Sequence, residues 1–215
     1  MLQNTAAELR VRLKESRKHF AAEDRQRASL LIRARLYTWL ALTRDHCESN
    51  NKRAPNVIAA FWPLTDEPDL IPLLEQWAQA GLKVVLPRIS STAEPLKFYQ
   101  WHKGTTLVAG PFGVMEPEVS VPLLPDVILV PTLGFTAQGD RLGYGKGFYD
   151  RTLAHLKTTG HRPTTIGVAW ATGNIHAIDP DYQPQPHDQR LDAVITPEAW
   201  YPSAPAPKSF RSNTG

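Results

Sequence analysis

The sequence carries a single cysteine, Cys47. One thiol can neither close an internal disulfide nor build a thiolate metal cluster, which excludes a disulfide-stapled scaffold and a sulfur-ligated zinc site. Cys47 reads as a passive residue near a helix end. Long apolar runs are missing as well: nothing approaches the roughly 18 to 20 residues of a membrane helix. The basic N-terminus lacks the apolar centre of a secretion signal, and Glu8, Glu15, Glu23 and Asp24 do not suit an acid-poor import presequence. The expectation is a cytoplasmic protein with no membrane partner. The seven histidines form no metal-ligand spacing, and no Ser-His-Asp or Cys-His pattern announces a covalent nucleophile.

What is present is the composition of a globular chain, 42% hydrophobic and 21% charged over 215 residues. That length suits one domain with a substantial core. The net charge of +3 is unevenly spread: residues 1–44 hold ten Lys and Arg against four acids, and the remainder fourteen against seventeen. Such an N-terminus can attract an anion (nucleic acid, nucleotide or polycarboxylate) or be the solvated face of two helices.

Thr5-Ala-Ala-Glu8 has the form of a capping box opening a helix that runs to about residue 20. A second helix is expected over 22–43, its inner stripe running Ala28, Leu31, Ile32, Arg35, Leu36, Trp39, Leu40. Residues 45–56 read as a polar connection. Strands are predicted at 57–61, 83–87, 96–101, 126–130, 165–170 and 193–196, with helices at 70–80 and 148–159. Pro72 is tolerated in a first helical turn, and Gly81 is placed as a C-terminal cap. Buried strands alternating with helices imply a three-layer α/β fold: a mostly parallel central sheet, helices on both faces, two helices in front. Residues 1–201 form the expected single domain, and the proline-rich stretch 202–215 reads as a disordered tail.

The chemistry concentrates in DVILVPTLGFTAQGDRLGYGKGFYDRTL, residues 126–153. An apolar strand runs into clustered glycines and then a helix. In open α/β sheets, ligands bind beyond the carboxyl ends of strands, where such loops lie. Gly143, Gly145 and Gly147 carry no Cβ to hold an anion away from backbone amides. The following helix adds free N–H groups and the positive end of its dipole, and Arg141 and Lys146 add formal charge. The G-x-G-x-G spacing fits neither the dinucleotide fingerprint nor the Walker loop: Asp140 and Gly147 stand where the latter needs a glycine and a hydroxyl residue. On the residues alone, a phosphate cradle and an ordinary glycine-rich turn both stay open.

The string RLGYGKGFYD, residues 141–150, preceded by VPTLGFTAQGD, resembles the signature of the 5-formyltetrahydrofolate cyclo-ligase (methenyltetrahydrofolate synthetase) family. Similarity extends to Leu9-Arg10, the stretch 22–25, the stretch 61–67, Leu86-Pro87-Arg88, the G-V-M-E-P turn at 113–117, His187-Asp188 and the stretch 191–196, thus over about residues 5–197. The resemblance implies a magnesium-dependent ligase that uses ATP to cyclise 5-formyltetrahydrofolate to 5,10-methenyltetrahydrofolate. A monomer acting on small molecules is expected, the folate with or without a polyglutamate tail, and no nucleic-acid partner, since residues 1–35 hardly interleave aromatic with basic residues. Carried over, Arg10 and the run Arg141, Leu142, Gly143, Tyr144, Gly145, Lys146, Gly147, Phe148, Tyr149 would contact ATP. Lys146 and Arg141 would be catalytic, Lys146 at the γ-phosphate. Trp62 and Glu67 would meet the folate together with Tyr144, Gly145, Lys146, Gly147 and Phe148, Glu67 accepting paired pterin N–H groups. Asp150 and Asp188 would hold magnesium. The pattern departs at Ala6, where the family usually has a lysine reaching ATP. It also departs at Trp62, Phe148 and the stretch 171–175, which lacks a glutamine common there.

Overall fold

A computed structural model of the chain describes residues 5–208. In chain order the helices and strands are α1 (Ala6–Lys18), α2 (Ala22–Ser49), β1 (Val57–Ala59), α3 (Ile71–Gln79), β2 (Lys83–Arg88), β3 (Lys97–Gln100), β4 (Leu107–Ala109), β5 (Met115–Pro117), β6 (Val127–Pro131), β7 (Gly134–Phe135), β8 (Arg141–Leu142), α4 (Phe148–Thr158), β9 (Thr164–Val168), β10 (Ala193–Ile195) and β11 (Trp200–Tyr201). Seven strands form one sheet in the order β11-β10-β9-β6-β1-β2-β3. The five inner strands are parallel; β3 and β11 close the edges antiparallel.

The sheet buries both faces, and alternate residues of one strand go to different cores. Ile58, Val84, Leu129 and Ile166 pack with α2 and α3, while Val57, Ala59, Ile128 and Val130 pack with Leu153 and Leu156 of α4. This is the expected three-layer α/β architecture, in which near-continuous apolar strands are fully covered. From β1 the chain crosses through α3 to β2 on one side. From β6, on the other side of β1, it crosses through α4 to β9. The connections therefore diverge between β1 and β6, which leaves a crevice at the carboxyl ends of those strands.

The N-terminal helices have different roles. Thr5 forms the expected capping box, its hydroxyl accepting from the Glu8 amide while the Glu8 carboxylate accepts from the Thr5 amide at 2.7 Å. Helix α1 lies on neither face of the sheet. Its Leu9 and Leu13 pack on Leu133, Leu142, Ile175 and Tyr182, beyond the strand ends. Helix α2 continues to Ser49, past the expected end at 43, because Thr43 and Cys47 prolong the inward stripe of Ile32, Leu36 and Leu40 by two turns. Leu31, expected on that stripe, is exposed, and Ser29 faces inward instead, its hydroxyl accepting from the Asp69 amide. Arg35, also expected there, reaches across to the carbonyls of Pro197 and Glu198.

The short strands β4, β5, β7, β8 and β11 were not expected from the sequence, being two or three residues long and too brief to show a period. Of the stretch read as a disordered tail, Pro205 accepts from the Trp39 indole at 2.9 Å and Lys208 donates to Asp192 at 2.6 Å. Residues 209–215 lie outside the described part.

Candidate active site

A cleft of about 960 Å³ opens beyond the carboxyl ends of β1, β2 and β6, at the divergence point of the sheet. It is lined by Arg10, Trp62, Glu67, all of 141–150, and Asp188. Every site residue predicted from the sequence thus stands on one cavity.

The glycine-rich wall is held out by a hairpin. β7 and β8 pair through Gly134↔Leu142 and Phe135↔Arg141. The turn between them is closed by Asp140, which accepts from Thr136 at 2.9 Å and from Arg190 at 2.7 Å. The loop leaving β8 then enters α4 at Gly147, which caps the helix in the left-handed region at φ +67°, and Gly145 is left-handed too at φ +88°. Side chains avoid that conformation, at a cost of about 1–3 kcal/mol. Space imposes a second constraint. A Cβ on Gly143 would stand 2.7 Å from Nη1 of Arg141, and one on Gly145 3.2 Å from Cζ of Arg10. A Cβ on Gly147 would stand 2.7 Å from Nη1 of Arg151. Each glycine of the G-x-G-x-G run makes room for a guanidinium. Arg10 also donates to the Gly143 carbonyl at 2.9 Å, fastening α1 to the loop.

Arg141, buried, donates to Asp150 at 2.6 Å, and the Gln189 amide donates to the same carboxylate oxygen. Lys146 is exposed at the loop tip with its ammonium 5.1 Å from the Phe112 ring. Phe148 tilts against that ring at 5.9 Å. Tyr149 carries a buried hydroxyl with no partner among the described residues, and burial pushes its pKa up. Asp188 is partly buried, and its carboxylate accepts from the Gln185 amide at 2.8 Å.

The opposite wall comes from the segment after β1. Trp62 lies edge-on to Trp101 at 6.0 Å. Glu67 is set by a tight turn: its Oε2 accepts from the Leu64 amide at 2.9 Å, and its own amide donates to the Leu64 carbonyl. Its Oε1 accepts from the Tyr144 hydroxyl at 2.5 Å, and the Tyr144 oxygen in turn accepts from Arg17 at 2.7 Å. Arg17, buried on α1, also donates to the Thr132 carbonyl at 2.7 Å. Burial raises the Glu67 pKa, while the Leu64 amide, the Tyr144 hydroxyl and the Arg17 charge pull it down. One lone pair on each carboxylate oxygen remains for a ligand donor.

Arg17 and Arg151 were not among the predicted residues. Arg10, Leu13, Lys14 and Arg17 repeat at i, i+3, i+4, i+7 and so share one face of α1, but that helix carries cations on its other sides too, so the spacing alone does not single out Arg17. Lys14 lines the cleft with its ammonium 5.5 Å from the Tyr144 ring, whereas Ala6 packs into the Leu9–Leu13 cluster. Arg151 follows the recognisable string by one residue.

Among the described residues no group of three or more His, Cys, Asp or Glu could hold a metal by itself. Asp150 and Asp188 both line the cleft beside the glycine loop. Such a pair of carboxylates could hold magnesium, which takes one or two protein carboxylates and completes its shell with ligand and water oxygens.

The 5-formyltetrahydrofolate cyclo-ligase family model matches residues 3–197. A 5-formyltetrahydrofolate cyclo-ligase of Escherichia coli is 32% identical over 191 residues, covering 86% of this chain and 96% of that protein. One of Mycolicibacterium smegmatis is 35% identical over 161 residues, covering 70% and 78%. In fold, the chain is similar to the Aquifex aeolicus 5,10-methenyltetrahydrofolate synthetase, with TM-score 0.70 and 24% identity over 98% of this chain and 96% of that one.

Proposed function

The chain belongs to the 5-formyltetrahydrofolate cyclo-ligase family, and from that membership we propose that this ligase uses ATP to close 5-formyltetrahydrofolate to 5,10-methenyltetrahydrofolate, releasing ADP and phosphate. The observation that carries the reading is a single cleft with a cationic glycine loop on one wall and a buried carboxylate on the other, linked by Tyr144.

The formamide is a poor electrophile and its oxygen a poor leaving group. Attack of that oxygen on the γ-phosphorus breaks the bond to the β-phosphate oxygen and releases ADP. The carbon, now imidate-like, accepts the lone pair of the folate's N10 nitrogen. The C–O bond then breaks, phosphate departs, and the proton of N10 leaves with it or to water. No covalent enzyme intermediate is needed; the protein positions the partners in line and balances charge on the phosphoryl group. Arg10, Lys146 and the amides at the start of α4 face that charge, and Arg141, fixed by Asp150, holds the loop in shape. Glu67 accepts N–H donors of the folate ring against Trp62. Asp150 and Asp188 would hold magnesium, which would draw charge from the phosphate oxygens. Phe148 and Tyr149 offer the ring faces between the two ligands. The same reading takes residues 1–201 as one catalytic domain, monomeric and cytoplasmic, acting on small molecules.

The test is the appearance of methenyltetrahydrofolate absorbance from purified protein, 5-formyltetrahydrofolate, ATP and magnesium. Turnover should require all of them and fall about 100- to 1000-fold in Lys146→Ala, the loss typical of one transition-state charge contact. Absence of product despite binding of both ligands would overturn the reading in favour of a non-catalytic folate and nucleotide binder.

A further inference from the structure

We propose that Arg151 is a ligand-binding residue of this cleft and that its partner is the terminal phosphate of the nucleotide, an inference that rests on the function proposed above. Arg151 lines the cleft from the first turn of α4. Its Nε and Nη2 are buried and have no hydrogen-bond partner among the described residues. Buried guanidinium nitrogens are rarely left so, and those in a cavity wall call for an acceptor supplied by the ligand. The group is held in place: its Cζ lies 5.0 Å from the Phe148 ring, and its Nη1 fills the space beside Gly147. A guanidinium stacked on an aromatic face and pressed against the helix cap is pre-organised for a planar, two-pronged grip on an oxyanion.

Two considerations select phosphate over a folate carboxylate. Arg151 stands on the residue that caps α4, so its donors join the free amides of the first turn. Arg141, the nearest loop arginine in sequence, is partly neutralised by Asp150. Yet its own Nε is also buried without a partner among the described residues, so two arginines that line one cavity both hold unmet donors. A multiply charged group satisfies both where a single carboxylate does not.

The experiment measures dissociation constants of ATP, ADP and AMP, with magnesium, for the full-length protein and its Arg151→Ala and Arg151→Lys variants, with KM for 5-formyltetrahydrofolate alongside. Arg151→Ala should weaken ATP about 10- to 100-fold, ADP less, and AMP under about twofold, as expected for one lost charge-assisted contact. Arg151→Lys should recover part of the ATP affinity, and KM for the folate should stay unchanged. Equal weakening of all three nucleotides would assign Arg151 a structural role, and a loss confined to the folate would make a carboxylate its partner; either overturns the proposal. Unchanged ATP affinity in both variants overturns it while leaving the cyclo-ligase reading intact. Failure of the wild-type protein to bind ATP overturns both.

Discussion

The two walls of the cleft are built in opposite ways. The glycine wall is almost one piece of chain, Arg141 to Arg151, carried by a hairpin of two short strands and a helix start, with α1 fastened to it through Arg10. The facing wall is gathered from Trp62 and Glu67 after β1, Ile89 after β2, and Phe112 and Glu116 around β5. A contiguous wall keeps its chemistry in a readable string. A gathered wall has no such string, and its geometry exists only once the sheet has ordered its strands. Arg17 and Tyr144 join the two, since the loop tyrosine donates to the carboxylate of the other wall.

Substitutions can test whether the walls act separately. Glu67→Gln should raise KM for the folate about 10- to 100-fold, the loss of a charge-assisted contact, and leave ATP affinity within about twofold. Steady-state kinetics with each substrate varied checks this, and a comparable loss of ATP affinity would break the separation.

Gly147→Ala should act on the glycine wall alone. It forces a side chain into the left-handed region and displaces Arg151, so ATP affinity should fall about tenfold. Folate binding measured by fluorescence should hold.

Tyr144→Phe probes the link. Burial raises the Glu67 pKa from its ordinary 4.5, so, with the ionised carboxylate as the proposed acceptor, folate affinity should grow as pH rises through that raised value. Removing the Tyr144 hydroxyl deletes a contact that lowers the pKa, so the rising limb should move to higher pH, with an effect near neutrality of about threefold or less. The groups facing Glu67 are Arg17 of α1, Tyr144 of the loop, Tyr149 of α4, and the Leu64 amide and Asp66 of its own segment. The stability sign is opposite to that of an ion-paired acid. The burial of Glu67 costs least below its ordinary pKa, and stability declines as pH rises toward the folded-state value. Glu67→Gln should flatten that limb in thermal melts taken across pH, whereas an unchanged limb would show that another group produces it.

The smallest effect is expected at Thr5→Ala. It removes the capping box of α1 at about 1 kcal/mol of stability and leaves kcat unchanged, because Leu9 and Leu13 still seat the helix. Denaturant unfolding beside a turnover assay checks both halves.

The same contrast explains what could be read in advance. The inner strands were legible because each is an apolar run bounded by glycine, proline or polar clusters, and α3 and α4 because they are amphipathic segments between such strands. Helix α2 was cut short at 43 because its last two turns present Asp45, His46, Glu48 and Ser49 outward, and polarity outweighed the inward pair Thr43 and Cys47. Leu31 fits the helical spacing of Ala28 and Arg35 yet is exposed, because it stands at the margin of the buried stripe through Ala28, Ile32 and Leu36. Arg17 looked like one more cation of a basic helix. Nothing local distinguishes a buried arginine from an exposed one when its acceptors, Tyr144 and the Thr132 carbonyl, are more than a hundred residues away.

By itself the sequence determined the alternation of strand and helix and the glycine loop with its charges. These depend on periodicity and on backbone conformations that only certain residues adopt. Only the tertiary structure decided that α1 leaves the sheet face to cover the strand ends, that three guanidiniums occupy the spaces beside three glycines, and that Glu67 is gripped by a tyrosine from the opposite wall. Those outcomes depend on which distant segments the sheet order brings within a few ångströms, and no local preference encodes that distance.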